Sequence, residues 1–183
     1  YFKEICQAVS FAHSSDIIHL DLKPENVLIN YLTDHAFLAD WGLAQSFSPI
    51  GDDGIDPVLL NADQGDGFLR GTPGYMSPEQ IMENKLDVRT DIYQLGGILY
   101  AIIFHHCPVA GDDINEVLNK TLKGEIYVDE INQATLPYIG ICKKAMDVKP
   151  ENRYSSVQEI IRDLDRISYS KEVIEEKKSR RVK

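Results

Sequence analysis

Two short apolar runs with a turn between them constrain how the first fifty residues can fold. Residues 27–29 (Val-Leu-Ile) and 37–39 (Phe-Leu-Ala) have the length and composition of β-strands, and residues 30–34 between them are turn formers. A hairpin brings the residue before its first strand next to the residue after its second strand. The pattern therefore predicts that the polar residues on either side of this hairpin lie together at one rim.

The residues at this rim carry the groups that phosphoryl transfer requires. Asp21, Lys23 and Asn26 precede the first strand, and Asp40 follows the second. The reaction needs an acceptor for a hydroxyl proton, a positive charge near the transferring oxygens and oxygen ligands for Mg²⁺. Asp21 suits the first task and Lys23 the second, whereas Asn26 and Asp40 suit the third. We interpret the rim as a candidate site of phosphoryl transfer.

These residues and several downstream motifs resemble the eukaryotic-type (Hanks-type) serine/threonine protein kinases. Residues 19–26 (His-Leu-Asp-Leu-Lys-Pro-Glu-Asn) are similar to the catalytic loop of that family, and residues 40–42 (Asp-Trp-Gly) to its magnesium loop. The end of the activation segment, the start of a long buried helix and a late arginine motif follow in family order, at residues 70–79, 91–96 and 150–154. Residues 40–44 look most like bacterial members.

The resemblance implies a role for each residue of the rim. Asp21 is expected to be the catalytic base, and Lys23 to contact the γ-phosphate of ATP. Asn26 and Asp40 are expected to hold Mg²⁺.

Two further residues are expected to belong to the site by resemblance. Thr72 is expected to hydrogen-bond to Asp21 and Lys23, the arrangement of kinases that phosphorylate serine or threonine. Leu28, in the first strand, is expected to contribute to nucleotide binding.

Other residues are expected to support the site. By resemblance, Glu79 and Arg153 form a buried ion pair and Asp91 fixes the backbone of the catalytic loop. His19 and Trp41 are expected to stack on each other in the apolar interior.

The activation segment departs from the family pattern. Leu20 stands where many members have an arginine that receives an activating phosphate, and an apolar side chain has no group to receive it. Residues 50–69 contain no serine, threonine or tyrosine, and several aspartates lie among them. We hypothesise that no phosphate in this segment activates the protein; the aspartates are equally well explained as a solvated acidic loop.

The expected fold class is mainly α: a helical lobe like the large lobe of a protein kinase, with a small β-hairpin that carries the catalytic and magnesium loops. We assign residues 1–169 to this lobe, with the catalytic loop at 19–26 and the activation segment at 40–79, and residues 170–183 to a charged tail or linker. Apolar periodicity predicts helices near residues 2–13, 87–105, 113–123 and 137–146, and a last helix that Ser155 caps.

The resemblance also implies a small β-rich lobe before the catalytic loop, with a glycine-rich loop, a strand lysine and a helix glutamate. Eighteen residues precede His19, and none of these motifs lies among them. We expect the chain to be a fragment whose missing lobe is its partner, and we expect it to transfer phosphate poorly on its own.

Charge and cysteine usage narrow the expected partners and compartment. The net charge of −10 disfavours nucleic acid and anionic membranes as partners, whereas a basic peptide substrate is conceivable. Cys6, Cys107 and Cys142 are far apart and odd in number, which favours reduced thiols in the cytoplasm.

Two other function classes compete with an enzyme that transfers phosphate from ATP to serine or threonine in proteins. A pseudokinase or scaffold would bind partners without catalysis, but it has no need for Asp21, Lys23, Asn26 and Asp40 together. A small-molecule phosphotransferase of related fold would not need residues 72–79, which resemble a loop that binds peptide substrates.

Overall fold

The computed structural model describes residues 1–47, 71–127 and 135–181, with side chains described as far as residue 170. The elements in chain order are α1 (Phe2–Ser14), β1 (Ile17–Ile18), β2 (Val27–Asn30), β3 (His35–Leu38), β4 (Gln45–Ser46), α2 (Pro78–Ile81), α3 (Val88–Phe104), α4 (Ile114–Lys123), α5 (Leu136–Ala145) and α6 (Val157–Arg181). Single 3₁₀ turns occupy Pro24–Asn26 and Pro150–Asn152. The expected mainly helical lobe with a small hairpin is confirmed.

The hairpin has the register that the two apolar runs require. Strands β2 and β3 are antiparallel, with Val27 opposite Leu38 and Asn30 opposite His35. At the open end of the hairpin, next to the Val27–Leu38 pair, the Ala39 N–H donates to the Asn26 carbonyl over 2.8 Å. The catalytic-loop end and the residue before Asp40 are therefore hydrogen-bonded neighbours. A second, shorter pair joins β1 to β4.

Helix α3 runs through the middle of the lobe. Its residues from Thr90 to Tyr100 are all buried, as its nearly continuous apolar sequence predicts. It packs against α5 and α1, and α1 packs in turn against α6. Burying one Leu or Ile side chain of this core stabilises the fold by about 1.5–3 kcal/mol. The core includes Ile5, Val9, Leu22, Ile92, Leu95, Ile98, Ile141, Ala145, Val157 and Ile160.

Local capping explains the start of α3 and both ends of α4. The carboxylate of Asp87 accepts from the Arg89 N–H at the start of α3, and that of Asp113 accepts from the Glu116 N–H at the start of α4. Gly124 ends α4 in the left-handed conformation, with φ of 71°. These bounds match the predicted helices to within two residues.

The last helix differs from the expectation at its start. It begins at Val157, so Ser155 lies two positions before it and is not its cap. The Ser155 N–H instead donates to Glu159 Oε2 over 2.9 Å. The backbone stays helical through the charged segment to Arg181.

Two further features bear on the expectations from composition. Cys6, Cys107 and Cys142 are free thiols, and burial raises the pKa of Cys6 and of Cys142 to about 12, which disfavours their reactive thiolates. In the described part of the chain, no helix combines the length and the apolar character needed to span a membrane.

Candidate active site

Asp21, Lys23 and Thr72 form a closed triangle of hydrogen bonds. Lys23 Nζ donates to Asp21 Oδ2 over 2.8 Å and to Thr72 Oγ1 over 2.6 Å, and the Thr72 hydroxyl donates to Asp21 Oδ1 over 2.8 Å. The aspartate is 8% exposed, so its direction is fixed while an edge still reaches solvent. A carboxylate held in this way can accept the proton of a hydroxyl group placed against it.

Asn26 and Asp40 flank the open end of the hairpin, where the Ala39 N–H donates to the Asn26 carbonyl. Asn26 is buried, and its Nδ2 donates to the Asp21 carbonyl over 2.8 Å and to Asp21 Oδ2 over 3.3 Å. Because the amide nitrogen is turned toward Asp21, the amide oxygen is the atom with which Asn26 can ligate a cation. Asp40 is exposed and has a left-handed backbone with φ of 57°. An amide oxygen and a carboxylate are the hard oxygen donors that Mg²⁺ prefers, so these residues fit the ion.

Leu28 points away from the core. Its side chain is 56% exposed on β2, whereas its neighbours Val27 and Ile29 are partly buried. An exposed leucine next to the Asn26–Asp40 end of the hairpin offers an apolar surface to a flat aromatic group such as a nucleotide base.

Asp91 holds the backbone that leads into Asp21. The two oxygens of this fully buried carboxylate accept from the N–H groups of His19 over 2.8 Å and Leu20 over 2.9 Å. His13 Nε2 lies 2.8 Å from Asp91 Oδ2 and is the third hydrogen-bonding group against this carboxylate. The predicted contact between Asp91 and the catalytic-loop backbone is therefore present, although 71 and 72 positions separate Asp91 from Leu20 and His19.

Sequence reasoning missed two residues beside Asp21. Gln80 and Gln94 are both buried, and each donates from its amide nitrogen to the Leu20 carbonyl, over 2.8 and 2.9 Å. A signal existed, because Gln94 lies in the middle of an otherwise apolar helix and buried amides are almost always hydrogen-bonded. His13, which contacts Asp91, was not predicted as part of the site either.

The expected buried ion pair between Glu79 and Arg153 is present. Two nitrogens of the guanidinium donate to the two carboxylate oxygens over 2.7 and 2.8 Å. Burial favours the neutral acid, but the hydrogen bonds and charge of Arg153 outweigh burial and lower the pKa of Glu79. Thr90 also donates its hydroxyl to Glu79. The pair joins the end of the activation segment to the residues before α6.

The expected ring contact of His19 with Trp41 is present, but the expected interior position of Trp41 needs correction. Their ring centroids are 4.5 Å apart, but the rings are tilted by 53°. Trp41 is 40% exposed, so it lies at the surface of the lobe and not in its interior.

The Leu20 side chain, which bears on the hypothesis about activation, is buried. The acidic residues between Asp52 and Asp66 fall outside the described residues, so the hypothesis about activation remains a prediction.

The helical lobe thus carries a lysine, two carboxylates and an amide at one rim, and comparison with known proteins gives its family. The model of the protein kinase domain family matches residues 1–164. The chain belongs to the protein kinase domain family.

Individual relatives are similar over most of the chain. Serine/threonine-protein kinase PknD of Protochlamydia amoebophila is 33% identical over 177 residues, 90% of this chain and 18% of that protein. Serine/threonine-protein kinase PknB of Mycobacterium tuberculosis is 31% identical over 166 residues, 90% of this chain and 25% of that protein.

An animal relative is similar over a shorter part. Rabbit myosin light chain kinase 2 is 35% identical over 131 residues, 71% of this chain and 19% of that protein. The chain therefore spans between 18% and 25% of the length of these three relatives. The expected resemblance to serine/threonine kinases, bacterial ones included, is confirmed.

Proposed function

We propose that this chain is the large lobe of a serine/threonine protein kinase, which transfers the γ-phosphate of ATP to serine or threonine side chains of proteins. The observation that carries the proposal is the hydrogen-bonded triangle of Asp21, Lys23 and Thr72. A scaffold that only binds partners would gain nothing from a partly buried lysine shared between a carboxylate and a hydroxyl.

Each residue of the triangle has a task in this proposal. Asp21 orients the acceptor hydroxyl and accepts its proton, while Lys23 places a positive charge where the transferred group passes. Thr72 ties the segment after residue 70 to the catalytic loop, so that a peptide lying on that segment has its hydroxyl beside Asp21. The residues thus combine positioning with electrostatic stabilisation, which supply most of the catalysis in phosphoryl transfer.

Magnesium and ATP are the cofactors that the proposal requires. The ion would neutralise charge on the phosphate oxygens, and Asn26 and Asp40 are the residues that would hold it. Leu28 would contact the base of the nucleotide. In support, Asn26 already has its amide nitrogen bound to Asp21, and Asp40 is exposed at the same end of the hairpin.

We further propose that a small β-rich lobe of the same protein covers the hairpin end and completes the nucleotide site. An apolar groove of about 390 Å³ lies there between α1 and β3. Phe11, Phe37 and Trp41 line it, and their exposed fractions are 76%, 53% and 40%. Apolar side chains this exposed next to a candidate site favour a covering partner. Because that partner completes the nucleotide site in this proposal, phosphate transfer by the 183-residue chain alone is slow. The proposed compartment is the cytoplasm.

The first experiment compares Asp21→Asn with the unchanged protein in phosphate transfer from labelled ATP to serine- and threonine-containing peptides. The 183-residue chain and a form extended by the reading frame before Tyr1 are measured side by side. Asp165→Asn is the matched control, because Asp165 is an exposed aspartate on α6. We expect the extended form to lose nearly all transfer with Asp21→Asn and to keep it with Asp165→Asn.

Two results would contradict these proposals. Full activity of Asp21→Asn would exclude Asp21 as the base. Rapid transfer by the 183-residue chain, abolished by Asp21→Asn, would support the kinase assignment and refute the need for a covering lobe. If neither form transfers phosphate with Mg²⁺ and ATP present, the scaffold interpretation takes precedence.

A further inference from the structure

Gln94 is a buried polar residue in an apolar helix, and its side chain reaches the catalytic loop. It is 1% exposed in the middle of α3, one helical turn after Asp91. Residues three apart in a helix lie on the same face, so Asp91 and Gln94 both face the loop that carries Asp21.

The amide of Gln94 binds the backbone on both sides of Asp21. Its oxygen accepts from the Leu22 N–H over 2.9 Å, and its nitrogen donates to the Leu20 carbonyl over 2.9 Å. One side chain therefore holds both residues that flank the proposed base.

Gln80 binds the same carbonyl from the other side. Its Nε2 donates to the Leu20 carbonyl over 2.8 Å, and its Oε1 accepts from Gln94 Nε2 over 3.1 Å and from the Ser77 N–H over 3.0 Å. Gln80 belongs to α2, which directly follows residues 71–77. The two amides thus form a buried bridge from the end of the activation segment to the catalytic loop.

The hydrogen-bond partners allow only one orientation of each amide. Leu20 offers a carbonyl, which needs donors, and Leu22 and Ser77 offer N–H groups, which need acceptors. If the amide of Gln94 were rotated by half a turn, its NH₂ group would face the Leu22 N–H and its oxygen would face the Leu20 carbonyl. The same rotation of Gln80 would set its NH₂ group against the Ser77 N–H. Rotating either amide would lose three of the five hydrogen bonds.

The bridge acts on a residue in an unfavourable backbone conformation. Leu20 has φ of 69°, in the left-handed region, where a residue with a side chain costs about 1–2 kcal/mol. Its N–H is held by Asp91, and its carbonyl accepts from Gln80 and Gln94. This turn at Leu20 determines the direction in which the chain enters Asp21.

We propose that Gln94 and Gln80 are positioning residues that fix the orientation of the Asp21 carboxylate by holding Leu20 and Leu22. Through Gln80, this orientation depends on the conformation of residues 71–81. The inference rests on the proposed function in that Asp21 must be the base. It goes beyond that function because neither glutamine touches a reacting atom. The competing interpretation is that the two amides merely fill the core between α2 and α3.

The test replaces each glutamine by methionine, which has a similar shape and no amide. Gln158→Met is the matched control, because Gln158 is an exposed glutamine on α6 whose amide donates to Ser10 Oγ over 2.8 Å. The first readout is how each substitution changes kcat and KM for ATP separately. It is measured on whichever form, the 183-residue chain or the extended one, transfers phosphate. The second is amide hydrogen exchange in the 183-residue chain, resolved at Leu22 and at residues of α1.

We expect kcat to fall roughly 10- to 100-fold in Gln94→Met, because a misplacement of about 1 Å can cost 10²-fold in rate. KM for ATP should stay within a few-fold, since the nucleotide contacts are unchanged. The Leu22 amide should lose protection while the amides of α1 keep theirs. Gln80→Met should shift kcat in the same direction by less, because Gln94 still holds Leu20 and Leu22.

The proposal is wrong if both variants keep kcat and the protection of Leu22. It is also wrong if protection falls equally at Leu22 and in α1, since that pattern marks a loss of overall stability. Should Gln94→Met fail to fold, Gln80→Met decides by the same two readouts. A protein without any phosphate transfer would contradict the proposed function, and hydrogen exchange at Leu22 would still show whether the bridge holds the loop.

Discussion

Arg153 and Glu79 form a bidentate ion pair although 74 positions separate them along the chain. The guanidinium is fully used, because it also donates to the carbonyls of Asp147, Val148 and Arg89. The pair therefore joins the end of the activation segment, the start of α3 and the turn before α6. Because Glu79 directly precedes Gln80 in α2, the pair also anchors the helix whose Gln80 holds the Leu20 carbonyl.

Removing one partner of this pair should be costly. Arg153→Met leaves the Glu79 carboxylate buried without its cation, and we expect a loss of about 3–5 kcal/mol in the free energy of unfolding. Denaturant unfolding followed by circular dichroism measures it. The control is Lys3→Met, which breaks the exposed pair with Asp165 and should cost less than about 1 kcal/mol. Equal losses in the two variants would contradict the structural role of the buried pair.

The same pair should make stability depend on pH in the acid range. Arg153 holds the pKa of Glu79 below its unfolded value of 4.5, despite the opposing effect of burial. The unfolded chain therefore binds the proton more readily, so the contribution of Glu79 is complete above about pH 4.5 and is lost as the pH falls through the folded-state pKa. Unfolding free energies measured between pH 3 and 6 should fall less steeply in Glu79→Gln than in the unchanged chain. Parallel curves would show that Glu79 is not responsible.

The hydroxyl of Thr72 should matter more than its methyl group. Thr72→Val keeps the shape but loses the hydrogen bonds to Asp21 and Lys23, and we expect kcat to fall by roughly 10- to 100-fold through misplacement of those groups. Thr72→Ser keeps the hydroxyl and should retain most of the activity. Steady-state kinetics with a peptide substrate separates the two, and a fully active Thr72→Val would show that catalysis does not need the Thr72 hydroxyl.

Two helical glycines should respond in opposite ways to the same substitution. A Cβ at Gly96 in α3 would lie 2.7 Å from Met146 Cγ and 2.8 Å from Ala145 Cβ, so Gly96→Ala overpacks the contact with α5 and should cost about 1–3 kcal/mol. A Cβ at Gly140 in α5 would have no neighbour within 4 Å. Gly140→Ala should stabilise the fold by about 0.5–1 kcal/mol through helix propensity. Thermal unfolding of the two variants measures both changes.

Much of the fold could be predicted because it depends on local signals. The apolar runs and turn of residues 27–39 predict the hairpin, and the capping residues Asp87, Asp113 and Gly124 predict the bounds of α3 and α4. The start of α6 was missed by one residue, because either of two adjacent serines suits a cap and only packing chooses the helix start. The surface position of Trp41 was also missed, since the burial of a side chain depends on neighbours from several elements.

The sequence by itself determined the chemistry of the site. Asp21, Lys23 and Asn26 lie within six residues of one another, and the hairpin adds Asp40, so their meeting follows from local geometry. The tertiary structure decided what holds them in place. The left-handed turn at Leu20 and its contacts with Gln80 and Gln94 depend on the packing of α2 and α3 against the loop. Sequence patterns record which residues can bond, but only the packed fold selects which buried groups meet, because their partners lie 60 or more positions away.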